Sequence, residues 1–170
     1  MVTITRSNYL QTLAAVKAAD PTGFWSVSIP SQAQLDHGTL IATEHGACLV
    51  TCDGDICGLF KLPESTARGV AADLLALAVA AGGRTLDNFD GHLTRIYTAA
   101  GFRVVSRCAF SVEHAPDGWS AEAHGWPDVV AMLYDPAGDV VSRSYTCDDY
   151  DTMISVRNNA RALQQLLGLD

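Results

Sequence analysis

The chain has 170 residues, 48% of them hydrophobic and 18% charged, which is one domain's worth of sequence with a full apolar core and excludes wholesale disorder. No apolar run reaches the ~18–20 residues of a membrane span, and Met1 to Leu10 carries one Arg with no apolar block behind it, so neither a transmembrane segment nor a signal peptide is expected. A net charge of −8, from 19 acidic and 11 basic residues, lacks the basic stripe of a nucleic-acid binder; it suits solubility or a cationic substrate.

Ser7 to Ala19 has helical spacing, with Ser7 as cap, Leu10, Leu13, Ala14 and Val16 on the apolar face, and Asp20-Pro21 as the stop. Phe24 to Ile29 alternates and predicts a short strand. Ser31 to Gly38 predicts a loop or one helical turn. A hairpin follows: Ala47 to Thr51, a turn at Asp53-Gly54, then Asp55 to Leu62, ended by Pro63.

Ser65 is placed to cap a helix running to about Ala81. Its apolar residues are Ala67, Val70, Ala71, Leu74, Leu75, Ala78 and Val79, and Gly82-Gly83 closes it. Arg84 to Phe89 predicts a strand. Gly91 to Ala100 predicts a short helix with Leu93, Ile96, Tyr97 and Ala100 inward. Gly101 stops it, and Phe102 to Phe110 predicts the next strand.

His114 to Pro127 predicts a loop containing Trp119 and Trp126. Asp128 to Tyr134 predicts a strand ended by Asp135-Pro136. About Asp149 to Leu169 predicts a helix with Met153, Val156, Ala160, Leu163 and Leu167 on one side. The alternation of strands and helices implies an α+β (α/β) fold, a mixed central sheet flanked by helices.

Cys48, Cys52, Cys57, Cys108 and Cys147 are odd in number and match no common zinc spacing, so they read as structural thiols in a reducing cytoplasm. The five histidines form no i, i+4 pair, and no metal site is expected. Asp148, Asp149 and Asp151 open the last helix, where negative charge meets the positive end of the helix dipole. Residues 86–170 carry the larger acidic excess, a weak hint of a cationic acceptor.

The turn from Glu64 to Ala71 enters its helix with small residues. Backbone N–H groups at a helix start hold phosphate; the same residues also suit ordinary packing. Gly69 and Ala71 allow an anion close to the backbone, and Arg68 adds charge.

Ile96-Tyr97-Thr98-Ala99-Ala100-Gly101-Phe102, followed by an apolar strand, resembles a late element of the GNAT superfamily of acyl-CoA-dependent N-acetyltransferases. Gly69 and Ala71 match the small positions of that family's pyrophosphate loop. Thr66 stands where the loop usually has Gln or Arg, and Asp90 where many members have Asn. The resemblance covers about 55 residues. Leu86 to Pro136 is also similar to uncharacterised acetyltransferase-like proteins of bacteriophages and other mobile elements.

The resemblance implies a single GNAT-like domain over residues 1–170, with a CoA-binding core at about 45–110 and a C-terminal extension at 128–169. It implies a sheet splayed between Asp55–Leu62 and Arg84–Phe89, with the pantetheine arm in the splay. Leu59, Phe60 and Lys61 would pair with the arm, and Thr66, Arg68, Gly69, Val70 and Ala71 would face the pyrophosphate. Asp90 joins the cofactor-binding set. Acetyl-CoA would be the cosubstrate, and a small-molecule or protein amine the acceptor.

Tyr97 would protonate the departing thiolate, although inward aromatics are also ordinary core. Glu64 leads the candidate bases, ahead of Asp90 and His92, with Asp87, Glu113 and His114 behind them. The alternative implied by the departures at Thr66 and Asp90 is a catalytically inactive GNAT-like protein that acts through protein contacts. An inhibitor or toxin-like factor of a mobile element is a further alternative. Neither nucleic acid nor membrane is an expected partner.

Overall fold

The computed structural model describes residues 3–20, 23–24 and 26–169. It is an α+β protein that divides into two compact units, Met1–Gly83 with Pro116–Trp119, and Arg84–Ala115 with Ser120–Asp170. The strands likewise fall into two sheets. The boundary at Gly83 lies inside the stretch expected to form one CoA-binding core.

The first unit contains α1 (Tyr9–Ala19), α2 (Gln32–His37), β1 (Thr39–Ala42), β2 (Gly46–Val50), β3 (Ile56–Lys61) and α3 (Val70–Ala80). The three strands form an antiparallel sheet in the order β1-β2-β3. α1 buries Tyr9, Leu13 and Val16 in a cluster with Ala47, Leu49, Phe60 and Leu62. The spacing 9-13-16 is one helical stripe; Ala14 falls off it and is exposed. α3 buries Val70, Leu74, Leu75 and Ala78.

The strand expected at 24–29 is absent: no strand lies among the described residues there, and the chain turns, with the Val27 N–H on the Phe24 carbonyl. Pro21, the expected stop of the first helix, and Trp25, within the expected strand, lie outside the described residues. Conversely, Thr39–Ala42 is a strand, which its short, half-buried sequence does not disclose. Ser31 opens α2 with a reciprocal capping box: its hydroxyl accepts from the Gln34 N–H, and the Gln34 side chain accepts from the Ser31 N–H.

The second unit contains β4 (Thr85–Phe89), α4 (His92–Ala99), β5 (Phe102–Cys108), a 3-10 turn at Val112–His114, α5 (Ala121–His124), β6 (Val129–Tyr134), β7 (Tyr145–Cys147) and α6 (Tyr150–Leu166). Its sheet has the order β4-β6-β5-β7 and is mixed: only β5-β7 is parallel. The segment expected to be loop at 114–127 holds the short α5, capped by the Ser120 hydroxyl on the Ala123 N–H. Trp126 is exposed but sets its ring edge-on to Phe110, 5.7 Å between centroids.

α6 starts where expected. The Asp149 carboxylate accepts a 2.7 Å bond from the Thr152 N–H. Its expected apolar stripe holds at Met153, Val156 and Ala160, which pack on the core, and fails beyond them. Met153, Arg157 and Gln164 are buried, whereas Leu163 and Leu167 are exposed. The reason is polar: the Gln164 amide donates 2.7 Å to the Tyr134 carbonyl and accepts 2.9 Å from Arg161. The backbone carbonyl at the end of β6 thus partners a buried amide where an apolar count selects leucine.

Candidate functional site

β3 is an edge strand with an interruption at its centre. Leu49 pairs with Cys57, and Ala47 with Phe60. Two residue steps on β2 therefore oppose three on β3, which is a β-bulge at Gly58-Leu59. Gly58 has φ +57°, in the left-handed region that glycine takes without steric cost. The bulge also accounts for a shared packing face. Cys57 and Phe60 are three apart, so a regular strand would send them to opposite faces, yet both pack on the α1 cluster.

The Tyr9 hydroxyl donates 2.9 Å to the Gly58 carbonyl. Burial, and the neighbouring Cys57 and Cys48 thiols, push the Tyr9 phenol far above its ordinary range, so it stays a donor. Burial also pushes the Cys48 thiol up to about 12, which leaves it inert at neutral pH.

Leu59 and Lys61 are half-buried and Phe60 is buried. The Lys61 ammonium does not extend freely: it donates 2.7 Å to the Ala67 carbonyl. Glu64 follows in the turn and is exposed. The Ser65 hydroxyl accepts from the Ala67 N–H at 3.3 Å and lies 3.2 Å from His45 Nδ1. These bonds hold Ser65–Arg68 as a turn outside the helix.

The helix expected from Ser65 accordingly starts at Val70. Gly69 is its N-cap, at φ +75°, with no side-chain cap. The first helical bond runs from the Asp73 N–H to the Gly69 carbonyl. The N–H groups before Asp73 have no intrahelical acceptor. Thr66, Arg68 and Gly69 are exposed, Ala71 is half-buried and Val70 is buried. A Cβ built on Gly69 meets nothing within 4 Å, so the approach to this helix start is open from that side.

The other expected site residues lie in the second unit. Tyr97 is on α4 and only 7% exposed. Gly101, at φ +97°, ends α4; a Cβ there would meet the Tyr134 ring at 2.9 Å. That close approach explains the Gly-Phe step into β5. Asp90 is half-buried, 3.3 Å from Arg107, whose guanidinium also lies 3.7 Å from Asp128. The Asp90 N–H donates 2.7 Å to the Asp128 carbonyl, which closes the open end of the β4-β6 pair.

Asn88 is a polar residue of this unit that its sequence context does not single out. It is nine-tenths buried, and its amide donates to Thr94 on α4 at 2.9 Å and to the Phe89 carbonyl at 2.8 Å. Its Oδ1 is buried with no partner. A lone Asn in a strand of Thr, Leu and Asp carries no distinguishing pattern. Asp87 is adjacent and, by strand alternation, faces the other side of the sheet, toward α6. It is exposed as a residue, yet desolvation raises its carboxyl above the ordinary value, against the opposing effects of Arg157 and a Tyr150 hydrogen bond. Facing away from α4, Asp87 is not positioned to share a reaction with Tyr97.

Among the described residues, no group of three or more His, Cys, Asp or Glu side chains is arranged to hold a metal ion. No described helix is long and apolar enough to cross a membrane. No protein-family model, curated protein or solved structure matches the chain.

Proposed function

We propose that the protein is an acyl-CoA-dependent N-acyltransferase, with acetyl-CoA as cosubstrate and an amine as acceptor. The observation that carries this reading is the run from β3 to α3. An edge strand broken by a left-handed glycine leads, through a hydrogen-bonded turn, to an open helix start. In this reading the free edge of β3, at Leu59–Lys61, pairs with the amide groups of the pantetheine arm as an added strand would. The N–H groups from Gly69 to Ala71 receive the diphosphate, and Arg68 adds charge.

Direct attack on a thioester requires a neutral amine, and an alkyl ammonium with pKa ~10 must first lose a proton. Glu64, exposed just after β3, is the proposed base, acting through water. Backbone N–H groups freed by the bulge polarise the thioester carbonyl. The tetrahedral intermediate then expels the CoA thiolate, which takes up a proton; the resemblance to the GNAT superfamily gives that acid role to Tyr97. Asp90 serves through its Arg107 pair, which fixes the end of β4 ahead of α4.

The test is a thermal-shift scan against CoA thioesters, followed by mass spectrometry of candidate amines incubated with acetyl-CoA. At a hundredfold excess over Kd, a specific ligand stabilises by about 2.7 kcal/mol. The reading predicts that stabilisation and a mass gain of one acetyl group on an acceptor. Absence of both refutes it. Stabilisation without transfer to any amine supports an inactive binding protein.

A further inference from the structure

We propose that Cys108 and Cys147 form an oxidative modification site, a facing pair of thiols that closes to a disulfide and fastens strand β7 to β5. The β5-β7 ladder sets Ser106 opposite Tyr145, Arg107 opposite Thr146 and Cys108 opposite Cys147. Residues directly opposite in a ladder point to the same face, and adjacent strands lie about 4.8 Å apart. Disulfides span Cα separations of about 4.4–6.8 Å, so the pairing falls inside the permitted range. Both side chains enter one cluster with Ala131 and Met153.

Their exposures divide the labour. Cys147 is half-buried, within an oxidant's reach, and Cys108 is buried behind it. β7 has three residues and lies at the sheet edge, so it can adjust to the geometry of a new bond. The other neighbouring cysteines differ: Cys57 stands opposite Leu49, not opposite Cys48. Burial raises the Cys147 thiol, and Asp149 and Asp148 raise it further. Burial raises Cys108 too, followed by Cys147, Asp128, Asp149 and Asp87. Both thiols therefore stay largely protonated at neutral pH, so the reactive thiolate fraction is small and closure is slow; the two electrons that leave the sulfurs must in any case pass to an added oxidant.

With hydrogen peroxide the step balances. The Cys147 sulfur attacks the O–O bond and becomes a sulfenic acid, releasing one water. The Cys108 sulfur then displaces the sulfenic oxygen as a second water. Two thiols and one peroxide give one disulfide and two waters, with each sulfur oxidised by one electron and the peroxide reduced by two.

The experiment treats the full chain with hydrogen peroxide, alkylates it with N-ethylmaleimide in denaturant, and maps the unreduced peptides. The expected result is a linked Cys108–Cys147 peptide pair that dithiothreitol separates, with Tm about 5–15 °C above the reduced chain. Cys147→Ser should abolish the link and leave Cys108 as a maleimide adduct. Recovery of both residues as maleimide adducts, or as separate sulfinic acids, once exposed Cys52 has been oxidised would overturn the proposal. A link that leaves Tm unchanged would overturn the fastening of β7.

Discussion

The Tyr9 hydroxyl reaches across to the Gly58 carbonyl at 2.9 Å, tying α1 to the bulge at the centre of β3. The two residues are also sterically matched. A Cβ on Gly58 would stand 2.2 Å from the Tyr9 hydroxyl and 3.0 Å from Pro30. Gly58→Ala should therefore cost about 2–4 kcal/mol, combining left-handed strain with the clash. Tyr9→Phe should cost about 1–2 kcal/mol, because it removes one buried hydrogen bond. The two losses should fall short of additive, since deleting the hydroxyl opens the space that the added methyl group needs. Denaturant unfolding of the natural chain, the two single variants and the double variant measures this; strict additivity would show that the hydroxyl and the glycine are not coupled.

Asp135 gives a pH-dependent counterpart in the other unit. Its carboxylate is 3% exposed and accepts the N–H groups of Asp139, Val140 and Val141 at 2.7–3.1 Å. Burial alone would raise its pKa. The three N–H bonds, helped by Arg103, outweigh burial and hold the carboxyl below its ordinary 3.8. A depressed folded-state pKa means stability that is fully present above 3.8 and lost as pH falls through the folded value. Asp135→Asn should cost about 2–3 kcal/mol at pH 7 and flatten that acid decline. Unfolding free energies between pH 7 and pH 2 provide the check, and an unchanged slope in the variant would rule out this source.

For Tyr97 the expected separation is kinetic. Tyr97→Phe keeps the buried ring and removes only the hydroxyl. Turnover should fall at least tenfold, about 1.4 kcal/mol in the barrier, while acetyl-CoA affinity changes little. Steady-state kinetics with a responsive amine, set beside binding by calorimetry, distinguish this from a core role. Equal turnover would confine Tyr97 to packing.

Strong periodicity explains what is legible in the sequence. The α3 stripe Val70, Leu74, Leu75 and Ala78 and the hairpin around Asp53-Gly54 emerge as expected. Misreadings cluster where polar or conformational demands override the apolar count. Ser65 has the residue type of a cap, but its hydroxyl serves Ala67 and meets His45, and Gly69 takes the helix start. Gln164 is buried near the end of α6 while Leu163 and Leu167 are exposed. β1 and β7, four and three residues long, are defined by their partners rather than by their own pattern. The proposed site is legible in the sequence only through a resemblance, at Gly69 and at Tyr97 to Phe102. The Gly58 bulge and the Asn88 acceptor are not, because register and hydrogen-bond satisfaction are properties of paired strands.

The central claim is that the start of α3 receives the diphosphate of an acyl-CoA. Calorimetric titration of acetyl-CoA into the natural chain, Gly69→Ala and Gly69→Glu tests it most directly. Both substitutions strain the same left-handed backbone, and neither side chain meets a neighbour at its Cβ. Gly69→Ala should therefore bind within a few fold of the natural chain, whereas Gly69→Glu should lose at least tenfold through repulsion between carboxylate and diphosphate. Saturable binding with equal affinity in all three proteins, or no binding to the natural chain, would contradict the account.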